Sequence, residues 1–323
     1  MIKLRKNLAT FLGVLLVYNL FTIPPLVFYG PFPEVRQMAV GTIVTSRHPQ
    51  FLKLFYSEAK VRQLMRQAGM VTDEIPTDSA KLAFRASTDD RIELIEIDGG
   101  SFKGKLLKIY NPKRVKVVAT KDLMKAGEKT SDIARRVGAV AAINGGGFID
   151  PNGKGNGGFP QGITIHEGQV LTGQQATTPQ EIIGLDKDGV LIIGKYTLTE
   201  LKNNQVVEAV SFGPQLIKDG QRKVRGNGGW GIAPRTAIGQ TKEGTILLLT
   251  IDGRQLSSVG ATLKDVQEIL LDYGAVNAAN LDGGSSTTMF YQDKVVNTPA
   301  NPFGERYVPT AFVVMPANGK GAK

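Results

Sequence analysis

The chain is 323 residues long, 41% hydrophobic and 21% charged, proportions of a globular protein that exclude wholesale disorder. It has no cysteine and only two histidines, His48 and His166, which excludes a disulfide framework, an iron–sulfur cluster, a thiol nucleophile and a Cys- or His-rich metal centre. The 39 basic residues against 29 acidic ones give a net charge of +10, which admits nucleic acid, an anionic membrane or a phosphorylated ligand as partner.

The location of the charge separates these partners. Residues 1–33 hold Lys3, Arg5 and Lys6 and no acid, and residues 34–85 hold eight basic residues against five acidic ones. More than half of the excess therefore sits in the first quarter of the chain, and the remainder is nearly balanced. No basic run interleaved with aromatics occurs there, so nucleic acid is not an expected partner.

From Asn7 to Pro33 no residue is charged, and ATFLGVLLVYNLFTIPPLVFY is mostly apolar. About 20 such residues cross a bilayer as a helix. Asn19 and Pro24-Pro25 interrupt the run, and proline is tolerated near the end of a membrane helix. The preceding cations keep the N-terminus in the cytoplasm by the positive-inside rule. A signal peptide starts the same way, but its apolar core is shorter and no small-x-small cleavage site follows directly here. The expectation is a single-pass cell-membrane protein: residues 1–33 are the cytoplasmic N-terminus and anchor, 34–85 a helical neck and linker, 86–318 an extracytoplasmic domain, and 319–323 a flexible tail.

In the neck, SEAKVRQLMRQAG has Ser57 as an N-cap, Val61, Leu64, Met65 and Ala68 at helical spacing, and Gly69 as a stop. Its Lys60, Arg62 and Arg66 form either a solvated face or a contact with anionic lipid or wall polymer. VTDEIPTDSAK reads as a linker. Beyond residue 86 come short apolar strands: RIELIEID, KLLKIY, VKVVAT, AVAAI, ITIHEGQVL with a turn at Glu167-Gly168, GVLIIG, VVEAVSF, QLIKDGQRK with a turn at Asp219-Gly220, RTAIGQTKEGTILLLTID, and TAFVVM. Ser131 is expected to cap a short helix, DIARRV, ending at Gly138. Thr262 begins the clearest helix, with Leu263, Val266, Ile269, Leu270 and Tyr273 on one face, Asp265 at the capping-box position and Gly274 at the end. The fold class is α+β: a mixed, largely antiparallel sheet with few helices, preceded by a transmembrane helix and a short helical neck.

Glycine and polar residues collect at strand ends. Asn144-Gly145-Gly146-Gly147-Phe148 follows a buried strand, where glycine backbone can approach a ligand and offer N–H donors and Phe148 can stack on a sugar. An ordinary glycine turn accounts for the same letters. Asp150-x-Asn152-x-Lys154-Gly155 fails as a calcium loop because Lys154 occupies a ligand position and the distal Glu is missing. Two Asp-Gly pairs, Asp252-Gly253-Arg254 and Asp282-Gly283-Gly284-Ser285, each follow an apolar strand. A Ser-His-Asp triad would need His166, which lies in a hairpin strand. Glu268 reads as solvated. Trp230 is either a sugar platform or a loop anchor.

In chain order, AAINGGGF, GPQLI, PRTAIG, TIDGR, GATLKDVQEILLDYGAVNAANLDGGSSTTM and ERYVPTAFVV resemble the phosphodiester glycosidase domain of the uncovering-enzyme type, whose bacterial members are often labelled exopolysaccharide biosynthesis proteins. The resemblance covers roughly residues 90–316, with three departures: one glycine fewer after Asp282, Ile149 in place of a second aromatic, and Asp265 in place of a helix glutamate. It implies a hydrolase acting on a sugar-1-phosphodiester. Such chemistry needs a carboxylate near the sugar C1 and cations on the phosphate, while the phosphate leaving group needs little protonation. Asp282 and Asp252 are the carboxylate candidates. Arg235 and Arg254 are the phosphate candidates, with Arg306 behind them. Asn144 and Asn280 can bond sugar hydroxyls or an N-acetyl group, Ser285 and Thr287 can contact phosphate, and Gly145, Gly283 and Gly284 line the pocket. No cofactor is required, and a divalent metal at Asp252 and Asp282 stays open. The expected partners are a phosphorylated carbohydrate or surface glycopolymer, and the membrane through the N-terminal helix. A non-catalytic glycopolymer-binding factor and a transglycosylase remain the alternatives, since fold alone does not confer activity.

Overall fold

In the computed structural model described here, residues 2–44, 49–67, 87–149 and 156–317 are described. His48, the linker, the rejected calcium loop and the C-terminal tail lie outside them. The chain forms two compact units, one comprising Met1–Thr72 with Asn227–Gly231, the other Asp73–Gly226 with Ile232–Lys323.

The first unit contains helices α1 (Ile2–Tyr29), α2 (Pro33–Val44) and α3 (Glu58–Gln67) and a 3-10 turn, Pro49–Leu54. The stretch Thr10–Tyr29 of α1 is long and apolar enough to cross a membrane. Ser57 caps α3 as expected, its hydroxyl accepting the Lys60 amide at 3.3 Å. Phe28, Val40, Leu52 and Leu64 are buried together, with Phe55, Tyr56 and Val61 packed around them. Trp230 belongs to this unit.

The second unit holds α4 (Thr130–Arg136), α5 (Leu198–Asn203) and α6 (Leu263–Asp272) and three large sheets. The seven-stranded sheet runs Ile92–Asp98, Lys103–Ile109, Ile246–Ile251, Arg235–Thr241, Ala275–Leu281, Gln215–Lys218, Gln221–Arg222. One five-stranded sheet runs Leu191–Tyr196, Gln180–Asp186, Val206–Ser211, Thr164–His166, Gln169–Thr172, and the other Lys294–Val295, Met289–Tyr291, Ala141–Asn144, Thr310–Val314, Val115–Ala119. Every pairing among these strands is antiparallel, so the sheets are less mixed than expected.

Register explains the core. Leu107 lies opposite Leu248, Leu248 opposite Ile238 and Ile238 opposite Ala279, a continuous apolar row across four strands because opposed residues share a face. That row packs with Ile143, Met289 and Phe312 of one five-stranded sheet and Ile183 and Val210 of the other. Helix α6, opened by the expected Thr262–Asp265 capping box and closed by Gly274 at φ +83°, buries Leu263, Val266 and Leu270. The turns at Glu167-Gly168 and Asp219-Gly220 are left-handed at both positions, with φ of 47° and 78°, and 51° and 73°, as two-residue hairpins require. Ser131 does not cap α4. The helix begins one residue earlier, and the distant Glu305 carboxylate accepts both the Ser131 amide (2.9 Å) and its hydroxyl.

A buried acid ties the sheets together. Glu208, 1% exposed in the centre of its sheet, accepts the Val117 amide of the neighbouring sheet at 2.8 Å, and Lys116 lies 3.4 Å away. His166 Nδ1 stands 3.3 Å from the same carboxylate, so this histidine is engaged in an inter-sheet tie rather than a serine triad. Burial raises the Glu208 pKa, while the Val117 amide, Lys116 and His166 pull it back. Glu208→Ala orphans the Val117 amide and unpairs Lys116. It is expected to cost about 2–4 kcal/mol in urea unfolding, and Glu208→Gln less, because the amide oxygen can still accept.

Candidate active site

The ends of three neighbouring strands meet at one edge of the seven-stranded sheet. Arg235 opens its strand opposite Ile251, and Thr236 lies opposite Leu281. The next residues, Asp252 and Asp282, therefore flank the Pro234–Arg235 entry. The glycines after both acids are there for space. A Cβ on Gly253 would come within 2.7 Å of the Pro234 nitrogen, and one on Gly283 within 2.8 Å of the Pro234 oxygen. Gly284 sits at φ +62°, donates to the Pro234 carbonyl at 2.8 Å, and leaves room for the Arg254 guanidinium, 3.3 Å from where its Cβ would be. The two Asp-Gly motifs are thus steric complements of one segment.

The fourth strand end comes from another sheet. Asn144 closes Ala141–Asn144 and is 0% exposed. Its Nδ2 donates to the Asp282 carbonyl (2.5 Å), and its Oδ1 accepts the Thr236 hydroxyl (2.9 Å) and the Thr288 amide (3.1 Å). The Asp282 amide returns a bond to the Gly145 carbonyl at 3.2 Å. This corrects two expectations. The Asn144 side chain is committed to the scaffold and is withdrawn from any sugar. The amides of Gly145, Gly146 and Gly147 are also committed, to the Thr310 carbonyl, the Thr310 hydroxyl and the Ser211 carbonyl, so they offer no anion nest. Glycine is needed at 145 because a Cβ would lie 2.5 Å from the Thr310 hydroxyl.

The carboxylates differ in surroundings. Asp252 is 8% exposed, and its Oδ1 accepts Asn297 Nδ2 (3.1 Å) and the Thr298 amide (3.0 Å). Burial raises its pKa against these donors and Lys105. Asn297 also donates to the Thr287 carbonyl at 3.2 Å, linking the two Asp-bearing segments. Sequence reading missed Asn297, which lies in a short turn without a motif. Asp282 is half-buried as a residue, but its Oδ2 is enclosed, beside the Ser286 hydroxyl. Burial pushes the Asp282 carboxyl up to about 6, although the Ser286 hydroxyl and the Arg306 guanidinium pull the other way.

One guanidinium, that of Arg306, acts on this carboxyl, and those of Arg254 and Arg235 stand near the adjoining segments. Arg306 lies 4.5 Å over the Phe148 ring and 3.4 Å from the Ser285 hydroxyl. Phe148 therefore presents one face to a cation, not to a sugar. Arg254 is exposed, on a left-handed backbone at φ 60°. Arg235 is 3% exposed and donates from Nε to the Ala261 carbonyl at 3.0 Å. Burial, with the charge of Arg254 beside it, lowers its pKa to about 10. A buried cation with a second, exposed cation beside it favours an anion between them. Thr287 is 1% exposed, and its hydroxyl lies 3.3 Å from the Thr236 hydroxyl, whose proton goes to Asn144, an interior role rather than a phosphate contact. Asn280, 1% exposed, donates to the Gly213 carbonyl and keeps an unpartnered Oδ1. Asp265 is engaged in the α6 cap, and Glu268 is paired with Arg222 at 2.7 Å. Among the described residues no three His, Asp or Glu side chains come together as metal ligands.

The enclosure of Asp282 has a measurable cost. The folded carboxyl keeps its proton up to about pH 6, whereas an unfolded Asp releases it near 3.9. Stability therefore falls as pH rises between those values and stays lower above them. Asp282→Asn removes the penalty. It is expected to stabilise the protein by on the order of 2–3 kcal/mol in chemical denaturation at pH 7, with the gain vanishing below about pH 4.

Comparison with known proteins agrees with this geometry. A family model described as phosphodiester glycosidase matches residues 137–315, more than half of the chain. The human N-acetylglucosamine-1-phosphodiester alpha-N-acetylglucosaminidase is 28% identical over 190 residues, 53% of this chain and 35% of that protein. The SPbeta prophage-derived uncharacterized protein YomE of Bacillus subtilis is 28% identical over 198 residues, 58% of this chain and 30% of its own length. The chain thus spans about a third of the length of these curated relatives. The zebrafish N-acetylglucosamine-1-phosphodiester alpha-N-acetylglucosaminidase catalytic domain, auto-inhibited by its pro-peptide, superposes with a TM-score of 0.58 at 23% identity, covering 74% of this chain and 87% of that one. With the matched segment running from the end of α4 through both Asp-Gly motifs to the last strand, the chain belongs to the phosphodiester glycosidase family.

Proposed function

We propose that the protein is a membrane-anchored glycosidase that hydrolyses a sugar-1-phosphodiester outside the cytoplasm, in cell-surface glycopolymer or exopolysaccharide metabolism. The observation that carries this reading is the Asp282 carboxyl, with one oxygen enclosed, the Arg306 charge beside it and the Arg254–Arg235 pair at the adjoining glycine turn. A phosphodiester brings the anion that the guanidinium groups favour and a C1–O bond whose cleavage a carboxylate assists. In the reaction the C1–O bond breaks, its electron pair leaves with the phosphate oxygen, and water supplies hydroxyl to C1 and a proton to be removed.

The two acids suit different tasks. Asp252, oriented by Asn297 and the Thr298 amide, is the group to face positive charge developing at C1. Asp282, poised near pH 6, is the group to accept the proton of the attacking water. Arg254 and Arg306 hold the phosphate, with Arg235 beneath. Ser285 and Asn280 offer polar atoms to the substrate, and Gly283 and Gly284 let it approach the backbone.

Retention of α1 as an anchor is supported by its last turn. Phe28 stacks on Phe55 with ring centroids 4.1 Å apart, and the Tyr29 hydroxyl donates to the Phe55 carbonyl at 2.6 Å. Removing α1 as a cleaved signal would take Phe28 out of its buried cluster.

The test is release of sugar from synthetic sugar-1-phosphodiesters, including an N-acetylhexosamine. Asp282→Asn and Asp252→Asn are each expected to lower kcat by about 10²–10³, the scale of losing one electrostatic group. Arg254→Gln should act mainly on KM. For the wild type, kcat/KM should rise with pH through about 6 as Asp282 ionises, and chelator should not alter the rate. If the wild type is no faster than Asp282→Asn across several sugars, while polymer still binds, the hydrolase reading gives way to a binding factor. Product formed only with an added acceptor would make it a transglycosylase.

A further inference from the structure

The unit at the end of α1 has an inside and an outside that a water-soluble helical neck does not need. Phe28, Val40, Leu52 and Leu64 fill its interior. On the same short segments, Phe32, Val35, Phe51 and Leu54 are 50%, 48%, 54% and 75% exposed. Leu52 points in while Phe51 and Leu54, on either side of it, point out. Large apolar side chains exposed one by one are ordinary, but these four flank the end of an apolar span.

Their level along α1 is set by direct contacts. Phe55, next to Leu54, stacks on Phe28, and Tyr56 meets Phe28 and Tyr29 edge-on with centroids 5.9 and 5.7 Å apart. The Tyr56 hydroxyl donates to the Phe28 carbonyl. Phe32 follows Tyr29 by three residues. The span Thr10–Tyr29 has 20 residues, about 30 Å of helix at 1.5 Å per residue and so the thickness of a hydrocarbon core. If the apolar span fills the core, Phe28 and Tyr29 stand at its edge, the level favoured by amphipathic aromatics. The exposed residues stand there too, where an apolar surface a few ångströms deep is solvated by headgroups and upper acyl chains.

We infer that α2, the Pro49–Leu54 turn and α3 form an interfacial collar around the end of α1, with Phe32, Val35, Phe51 and Leu54 seated in the lipid headgroup–acyl boundary. The inference rests on the reading that α1 is retained as a membrane span. A bilayer occupies the surface because it is continuous with the exposed apolar face of α1, where Val14, Leu16 and Phe21 are 64%, 68% and 72% exposed. Arg62 of α3 and Lys53 of the turn, solvated and turned to Glu58 at 3.9 and 3.3 Å, then stand beside anionic headgroups.

The absence of cysteine makes the test direct. Leu54→Cys, Phe51→Cys, Val14→Cys and Arg62→Cys are introduced singly into the full chain, spin-labelled, and reconstituted in phosphatidylglycerol–phosphatidylethanolamine vesicles. Collision rates with oxygen, which concentrates in lipid, and with a water-soluble nickel chelate are compared. The collar predicts that labels at 54 and 51 shift toward the oxygen-dominated ratio of the Val14 label, while the Arg62 label stays nickel-dominated. Nickel-dominated labels at 54 and 51 with an oxygen-dominated Val14 overturn the collar and leave the anchor standing. Dipolar broadening between copies at 54 or 51 also overturns it, in favour of a self-association surface. Mass analysis of the membrane-extracted chain reports separately on the anchor: loss of the segment containing Val14 overturns both readings.

Discussion

One side chain closes the site. Asn144 ends a strand of one sheet, yet its three polar contacts reach Asp282, Thr236 and Thr288, which belong to the ends of other strands. An apolar core can set the distance between sheets, but it is indifferent to small sliding. Buried hydrogen bonds are not, because each misplacement strands a polar group at a cost of about 1–3 kcal/mol. Asn144 therefore converts a packed interface into a registered one. The position of the Asp282 backbone, and with it the carboxyl, follows from that register.

Around this closure, space and charge are arranged separately. Gly253, Gly283 and Gly284 fit their chain around Pro234 and Arg254 and contribute no chemistry of their own. Asp252, Asp282 and the guanidinium groups are the groups to which the proposed chemistry falls. Asp282 has one oxygen enclosed beside the Ser286 hydroxyl, whereas Asp252 is braced by Asn297 and the Thr298 amide. Two like residues thus sit in unlike surroundings, and burial raises the pKa of both against different donors.

The sequence was legible where local rules decide the outcome. The Thr262 capping box, the hairpins at Glu167-Gly168 and Asp219-Gly220, and the strands bearing Arg235 and Asp252 follow from spacing and turn chemistry. The Gln180–Asp186 and Met289–Tyr291 strands and helix α5 escaped notice. Met289–Tyr291 is only three residues long, and Gln180–Asp186 is buried along five successive residues, so alternation marks neither. For the site, the right segments could be named, but not which atoms face inward. Asn144 and Thr287 carry letters that suit a ligand and bonds that serve the scaffold. Glu305 rather than Ser131 caps α4 because a cap supplied from 174 residues away leaves no local trace.

That distant cap bears on the residue after it. Glu305 is tied to the start of α4, and Tyr307–Val308 pairs with Glu128–Lys129 just before the same helix. Arg306 is therefore held on both sides by one short helix, with its guanidinium already lying over Phe148. An arginine on a free loop must give up rotamer freedom when an anion arrives, at roughly 1–2 kcal/mol for such a side chain. Here much of that ordering belongs to folding. An anion meeting Arg306 would therefore carry a small entropic penalty, and loosening α4 would raise it.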